Sequence, residues 1–165
     1  MTDTDTGDGP DLRPVLPRIM QLGNVLNRSG LMERAMERAA PTLDRPAVSI
    51  LVSLRLSGRA LRVGEIAERM QVAGPHVTRH VQVLERRRLV RRLADADDRR
   101  ARLIESTPEG AEIADRYLRT MLGWIGEALD GWSAEDRKTF YRLLQRFTDD
   151  LAARLSVADD QDDSP

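Results

Sequence analysis

The sequence predicts a mainly α-helical fold that carries one small β-hairpin, and three patterns lead to this prediction. Apolar residues recur at helical spacing in several long segments, for example residues 15–26 and 113–125. Two short runs with loose strand alternation, residues 89–93 and 101–105, flank the polar segment 94–100 as strands flank a turn. Long helices with apolar faces stand near both ends of the chain. We therefore expect a central lobe with a hairpin and a second lobe built from the terminal helices.

The middle of the chain predicts a helix-turn-helix. A first short helix spans about residues 64–70, and Pro75 lies in the first turn of a second helix, where its missing N–H is harmless. In the second helix Val77, Val81 and Leu84 repeat at i, i+4 and i+7, so they should face the core. A helix-turn-helix followed by a hairpin, the wing, is a winged helix, and its usual partner is duplex DNA.

The wing and its surroundings resemble a known family. Residues 98–110, DRRARLIESTPEG, look like the wing signature of the MarR (multiple antibiotic resistance regulator) family of bacterial transcription factors: Asp-x-Arg, strand residues, then Thr-x-x-Gly opening a helix. Residues 64–67 and 77–85 also resemble that family, and the resemblance covers residues 12–155. Arg88 departs from the pattern, since relatives usually have glycine there. A left-handed Arg88 would cost up to ~1 kcal/mol relative to glycine.

Residue chemistry and the resemblance together predict the DNA contacts. In the major groove, Arg79 can donate to guanine or to phosphate, and Gln82 can bond adenine. The resemblance implies that Asp98 pairs with Arg100 to hold the wing in shape, and that Arg100, or alternatively Arg99, enters an A·T-rich minor groove. The predicted DNA-binding residues are Pro75, His76, Thr78, Arg79, Gln82, Arg86, Asp98, Arg99 and Arg100.

The distribution of charge along the chain supports a nucleic-acid partner, although the net charge of the whole chain does not. The net charge is −1, yet residues 55–107 contain 13 arginines and 7 acidic residues. Acidic residues gather at the chain ends, and we predict disordered acidic tails at 1–11 and 157–165. The arginine-rich segment 86–92 could also be an ordinary solvated face, as charge runs often are.

Between the tails the sequence predicts a dimerisation helix at 12–40, a winged helix-turn-helix lobe at 41–107 and C-terminal dimerisation helices at 108–156. A single winged helix does not need so many amphipathic helices, so a second copy of the chain should cover their apolar faces. The resemblance likewise implies a homodimer. Its two recognition helices, roughly 34–36 Å apart, would read a pseudo-palindromic operator.

Several boundaries are marked by local signals. Asp44 can cap a helix, and residues 59–62 could form a short strand that pairs with the wing. Thr107 and Ser133 can cap the two later helices. The predicted long helix over 12–40 would weaken or bend at three positions: Gly23, Ser29 and Gly30.

The resemblance also implies a small aromatic or phenolic effector between the dimer helices and the winged-helix lobe. An effector that favours one spacing of the recognition helices would change operator binding. Candidate lining residues are Met20, Leu31, Met32, Ile50 and Trp124, although such side chains also fill ordinary cores. We expect a ligand-responsive repressor, with ligand-independent repression or activation as alternatives.

Other function classes find little support in the sequence. The chain has no cysteine, so thiol chemistry, disulfides and thiolate metal sites are excluded. It lacks a recognisable catalytic triad or phosphate-binding loop, and we predict neither enzyme activity nor a cofactor. His76 and His80 share a helix face, but only Glu85 could add a third ligand on that helix, so no metal site is predicted.

Nothing in the sequence resembles a secretory signal or a transmembrane run, so we expect a cytoplasmic protein without membrane contact. The competing interpretation is a winged-helix dimer that binds a partner protein, or an architectural DNA-binding protein without an effector. The charged Asp-x-Arg wing favours the DNA regulator.

Overall fold

The computed structural model describes residues 12–28, 30–95 and 101–162. In chain order these residues form α1 (Val15–Arg28), α2 (Leu31–Ala39), α3 (Arg45–Ser57), β1 (Leu61–Arg62), α4 (Val63–Met70), α5 (Gly74–Arg86), β2 (Val90–Ala94), β3 (Arg102–Ser106), α6 (Pro108–Ala128) and α7 (Ala134–Asp162). Helices dominate and the strands form one small sheet, which confirms the predicted fold class.

The sheet is antiparallel, with the strand order β1-β3-β2. Strand β3 lies in the centre, where Ile104 is opposite Leu61 on one side and Arg92 on the other. The predicted strand at 59–62 is therefore confirmed, although only two residues of it pair. Ile104 and Leu61 are completely buried, so this face of the sheet packs on the core.

The hydrophobic core lies between α3, α4, α5 and the sheet. As predicted from their spacing, Val77, Val81 and Leu84 of α5 are completely buried. Burial of side chains of this size stabilises a fold by about 1.5–3 kcal/mol each. The same core includes Ile50 and Leu51 of α3, and it fixes which side of α5 remains outside.

The predicted caps are confirmed. The backbone N–H of Ala47 donates to Asp44 Oδ1 over 3.0 Å at the start of α3. The N–H of Gly110 donates to Thr107 Oγ1 over 3.2 Å, and that of Asp136 donates to Ser133 Oγ over 3.1 Å. These side chains satisfy N–H groups that the first turn of a helix leaves without a partner.

The prediction of one long helix over 12–40 is wrong, because the segment forms two helices, α1 and α2. Gly30 adopts a left-handed conformation with φ 57°, which ends the helical path between α1 and α2. Gly23, by contrast, lies inside α1 and does not interrupt it. A glycine inside a helix costs only about 1 kcal/mol, whereas a left-handed residue cannot continue the helical path.

The chain divides into two compact units at Leu122–Gly123. The first unit contains the winged-helix core, and α1 leaves many large apolar side chains exposed: Val15, Leu16, Ile19, Met20, Leu22, Val25 and Leu26. In the second unit, Trp132 packs edge-on against Phe140, with ring centroids 5.4 Å apart. Helix α7 exposes Tyr141, Leu143, Leu144, Phe147 and Leu151. Among the described residues, no helix is long and apolar enough to cross a membrane.

Candidate nucleic-acid interface

Helix α5 presents a polar face opposite to its buried side. Ala73, just before the helix, has an extended backbone, and Pro75 occupies the first turn. Since Val77, Val81 and Leu84 point into the core, the other side of the helix is available to a partner. The side chains exposed there are Pro75, His76, Arg79, Gln82 and Arg86. All five are predicted DNA-binding residues, and the structure places them together on one helix.

Thr78 belongs to the same predicted set but is half-buried. Its hydroxyl donates to the carbonyl oxygen of Gly74 over 3.1 Å, one turn earlier in α5. The hydroxyl proton is therefore used inside the helix. Any contact of Thr78 with a partner would use the oxygen lone pairs or the methyl group.

The two histidines of α5 have different surroundings. His76 is exposed, and the His80 side chain is only 12% exposed, with its Nδ1 3.4 Å from Asp44 Oδ2. That distance suits an ion pair with a protonated imidazole, yet Nδ1 has no hydrogen-bond partner among the described residues. The two rings lie 4.6 Å apart. In the part of the chain that the structure describes, no three metal-ligating side chains form a cluster.

The turn between α4 and α5 and the loop after α5 each contain a non-glycine residue with positive φ. Gln71 has φ 54° and Arg88 has φ 59°. The resemblance anticipated this conformation at Arg88, where glycine is usual. The backbone N–H of Arg88 donates to Glu85 O over 2.9 Å, so the end of α5 is held tightly despite the strain.

Part of the arginine-rich segment 86–92 has a structural role. The Arg91 guanidinium pairs with Glu105 across the two wing strands. Arg92 Nε donates to Glu85 Oε2 over 3.0 Å. Arg87 Nη1 donates to the carbonyl oxygen of Thr42 over 2.8 Å. The segment is therefore not a purely solvated face, because these three arginines bond the wing and α5 to neighbouring parts of the chain.

A polar network that the sequence did not reveal joins the start of α4 to the tip-side end of β2. Glu65 Oε2 accepts the backbone N–H of Arg62 over 2.7 Å, and its other oxygen pairs with Arg59. The hydrogen bond from Arg59, followed by that from the Arg62 backbone, holds the pKa of Glu65 below its usual range. Arg62 Nε in turn donates to Asp95 Oδ2 over 2.7 Å. Arg62 and Asp95 are 33 positions apart, and no local pattern connects them.

The predicted wing-tip residues Asp98, Arg99 and Arg100 lie outside the described residues, so their roles stay predictions. The described part of the wing runs from the pair Val90–Ser106 to the pair Ala94–Arg102, the last before the tip.

The predicted effector residues are placed in different environments. Met20 is exposed on α1, where it lines an open depression along the helix. Leu31 and Met32 are half-buried at the start of α2, and Trp124 is half-buried in the second unit. Ile50 is completely buried in the core, so it offers no surface to a ligand.

Comparison with known proteins agrees with this architecture. Residues 43–101 match the model of the MarR family. The transcriptional activatory protein BadR of Rhodopseudomonas palustris is 28% identical over 150 residues, which are 87% of this chain and 85% of BadR.

Solved structures share the fold. A MarR family protein from Bacillus stearothermophilus superposes with a TM-score of 0.68 at 22% identity, over 87% of this chain and 99% of that one. A mutant of MepR from S. aureus, bound to an oligodeoxyribonucleotide, gives a TM-score of 0.55 at 20% identity, over 81% of this chain and 97% of that one.

MarR family members are transcription regulators and not enzymes. The family match at residues 43–101 and the winged-helix architecture around it show that this chain carries a MarR-type DNA-binding domain, as transcription regulators of that family do.

Proposed function

We propose that this protein is a homodimeric repressor that reads a pseudo-palindromic operator, with α5 in the major groove and a wing arginine in the minor groove. The observation that carries the proposal is the two-sided character of α5. Its apolar side is buried in the core. Its other side exposes hydrogen-bond donors that suit base edges and phosphates, above all those of Arg79 and Gln82. Arg100 is the arginine proposed for the minor groove, with Arg99 as the alternative.

We propose that a second copy of the chain covers the exposed apolar faces of the terminal helices α1 and α7. Helix α7 exposes Leu144, Phe147 and Leu151 at spacings of three and four residues, which is one apolar stripe. Helix α1 exposes a broader apolar face, as described above. Monomeric proteins rarely leave such large apolar patches in water, and a two-fold dimer would cover the same stripe on both copies.

The dimer is tested by sedimentation velocity. Phe147→Glu and Leu144→Glu should shift the protein towards a monomer, because each would bury a charge in the interface. Gln145→Glu, at a neighbouring position of α7, is the matched control and should remain dimeric. Stable dimers in both apolar variants would contradict this interface.

DNA binding is tested by a fluorescence anisotropy titration against a duplex that the protein selects from a random-sequence library. A scrambled duplex serves as competitor, and the salt concentration is varied. We expect specific binding on the order of a thousandfold or more tighter than nonspecific binding, with one dimer per site. Equal affinity for both duplexes would favour an architectural role, and no binding at low salt would favour a protein-interaction module.

The direction of regulation is tested with a reporter. A repressor that occupies an operator overlapping a promoter lowers transcription, and deletion of the gene for this protein should then raise reporter output. The relative BadR is described as an activatory protein, which makes activation the second candidate. Loss of output on deletion would establish activation.

We also propose that a small aromatic or phenolic acid modulates the protein. Exposed and half-buried methionines on the first two helices, Met20 and Met32, support this, since flexible thioether side chains adapt to planar ligands. The ligand must bind the two conformations with different affinity to change operator binding. Benzoate and its hydroxylated derivatives, added to the preformed complex, should lower anisotropy; no release by any member of that panel would count against this part of the proposal.

A further inference from the structure

Asp95 has an unusual position for a carboxylate. It directly follows β2, at the start of the connection to the wing tip, and it is only 6% exposed. Buried carboxylates need a cation or several hydrogen bonds, because burial disfavours the charged form. Here Arg62 supplies both, since its Nε and Nη2 atoms approach the same Asp95 oxygen at 2.7 and 2.6 Å.

Arg62 reaches Asp95 from the opposite edge of the sheet. In the β1-β3-β2 order, Arg62 lies beside Leu103, and Leu103 lies beside Leu93 on the other strand. Asp95 comes two positions after Leu93, on the same face by strand alternation. The guanidinium therefore spans the central strand and joins the two outer ones near the wing tip.

The same arginine also touches the helix-turn-helix. Arg62 precedes α4, and its backbone N–H donates to Glu65 Oε2 over 2.7 Å within the first turn of that helix. One residue is thus bonded through its backbone to the first helix of the motif and through its side chain to the tip-side end of β2. A change in the side-chain bond would let the wing tilt while α4 and α5 stay packed.

We infer that Arg62 and Asp95 are positioning residues for DNA recognition: their ion pair fixes the wing relative to the helix-turn-helix, so that both can enter adjacent grooves of one duplex. This inference rests on the proposed DNA-binding function. Asp95 acts through Arg62 and the wing and not by touching DNA, because a carboxylate repels phosphates. The charge change in Asp95→Asn would by itself strengthen DNA binding. A loss of DNA affinity in that variant must therefore come from a changed position of the wing.

The experiment compares Asp95→Asn and Arg62→Gln with wild-type protein, on a duplex that the wild type selects from a random-sequence library. A scrambled duplex of equal length and composition measures nonspecific binding. Arg91→Gln and Glu105→Gln are the matched controls, since they break an exposed ion pair between β2 and β3 of the same sheet.

We expect each test variant to lose about tenfold or more in specific affinity, with less than about threefold change in nonspecific affinity. Repeating the selection with Asp95→Asn should give weaker base preferences at the outer positions of each half-site, where the wing would lie. The control variants should keep both the affinity ratio and the preferences. Arg62→Lys, which retains the cation, should recover part of the loss.

Other outcomes overturn the inference. Asp95→Asn that binds as tightly as wild type, with the same base preferences, would show that the pair does not position the wing. A fall of specific and nonspecific affinity in equal proportion, matching the folded fraction measured by circular dichroism, would show a role in stability alone. If a single variant unfolds, the double variant Arg62→Gln/Asp95→Asn, which removes both charges of the pair, distinguishes the two roles. If wild-type protein selects no sequence, the proposed function itself fails.

Discussion

Gly110 and Leu89 lie in direct backbone contact where α6 meets the wing. A Cβ atom at Gly110 would collide with the carbonyl oxygen of Leu89, far inside van der Waals contact. The same carbonyl accepts the backbone N–H of Thr107 over 3.0 Å. The hydroxyl of Thr107 donates to Arg88 O over 2.8 Å. Together these contacts attach the start of α6 to the loop between α5 and β2.

Substitution of Gly110 should therefore be destabilising. Gly110→Ala forces a methyl group against backbone that cannot move aside alone, and we expect a loss of about 1–3 kcal/mol in the free energy of unfolding. The measurement is urea denaturation followed by circular dichroism. Gly64→Ala, at a helical glycine with open space around its Cα, is the control and should be neutral or stabilising. Equal stability of the two variants would contradict this contact.

Arg88 holds a left-handed conformation at some cost. Because φ is 59° at this position, Arg88→Gly should raise the free energy of unfolding by up to ~1 kcal/mol. Arg88→Ala removes the same side chain but keeps the strain, so it should not stabilise. Chemical denaturation of both variants separates the backbone effect from the loss of charge. A stabilisation by alanine equal to that by glycine would mean that strain is not the cause.

Asp115 should make stability depend on pH. Its carboxylate accepts the Arg55 Nε–H over 2.6 Å, and this hydrogen bond holds the pKa of Asp115 below its usual value. A depressed pKa stabilises the fold fully above the ordinary aspartate range, and that contribution disappears as the pH falls towards the folded-state pKa. Asp115→Asn should therefore flatten the acid side of the curve of denaturation midpoint against pH, and Arg55→Gln should flatten it similarly. An unchanged acid limb in both variants would refute the link.

The hydroxyl of Ser106 is a buried group without a hydrogen-bond partner among the described residues. Such a group loses its water on folding and gains nothing in return, so Ser106→Ala should be neutral or stabilise the protein by up to about 1 kcal/mol. Thr107→Ala, one residue later, removes the cap of α6 and should cost about 0.5–2 kcal/mol. Thermal melts of both variants give the comparison. Clear destabilisation by Ser106→Ala would reveal a partner for its hydroxyl.

Arg79 should matter for base recognition more than for folding. Its side chain is exposed on the outer face of α5, and loss of a good bidentate base contact costs about 1–3 kcal/mol of discrimination. Arg79→Ala should weaken binding to the selected duplex strongly and leave the melting temperature unchanged. Arg119→Ala removes the same charge from α6 and should change only the salt-dependent nonspecific affinity for DNA. The same affinity in both variants would remove Arg79 from the reading face.

Local sequence signals predicted the elements that bound the DNA-reading lobe. Asp44, Thr107 and Ser133 marked helix starts correctly, because a cap bonds backbone groups only two or three residues away. The i, i+4, i+7 spacing of α5 was sufficient to separate its buried side from its exposed one, since helical geometry fixes that periodicity. The break at Gly30 was harder to predict, because glycine tolerates both a helical and a left-handed backbone.

The amino-acid sequence by itself determined the order of the elements from α3 onward, the face of α5 that is buried and the resemblance of residues 43–101 to the MarR family. Only the tertiary structure decided which distant residues come into contact. Arg62 finds Asp95 across a sheet, and Gly110 approaches the backbone of Leu89. The physical reason is range: capping and periodicity act within a few residues, whereas ion pairs and close packing depend on how distant segments are brought together by burial of the core.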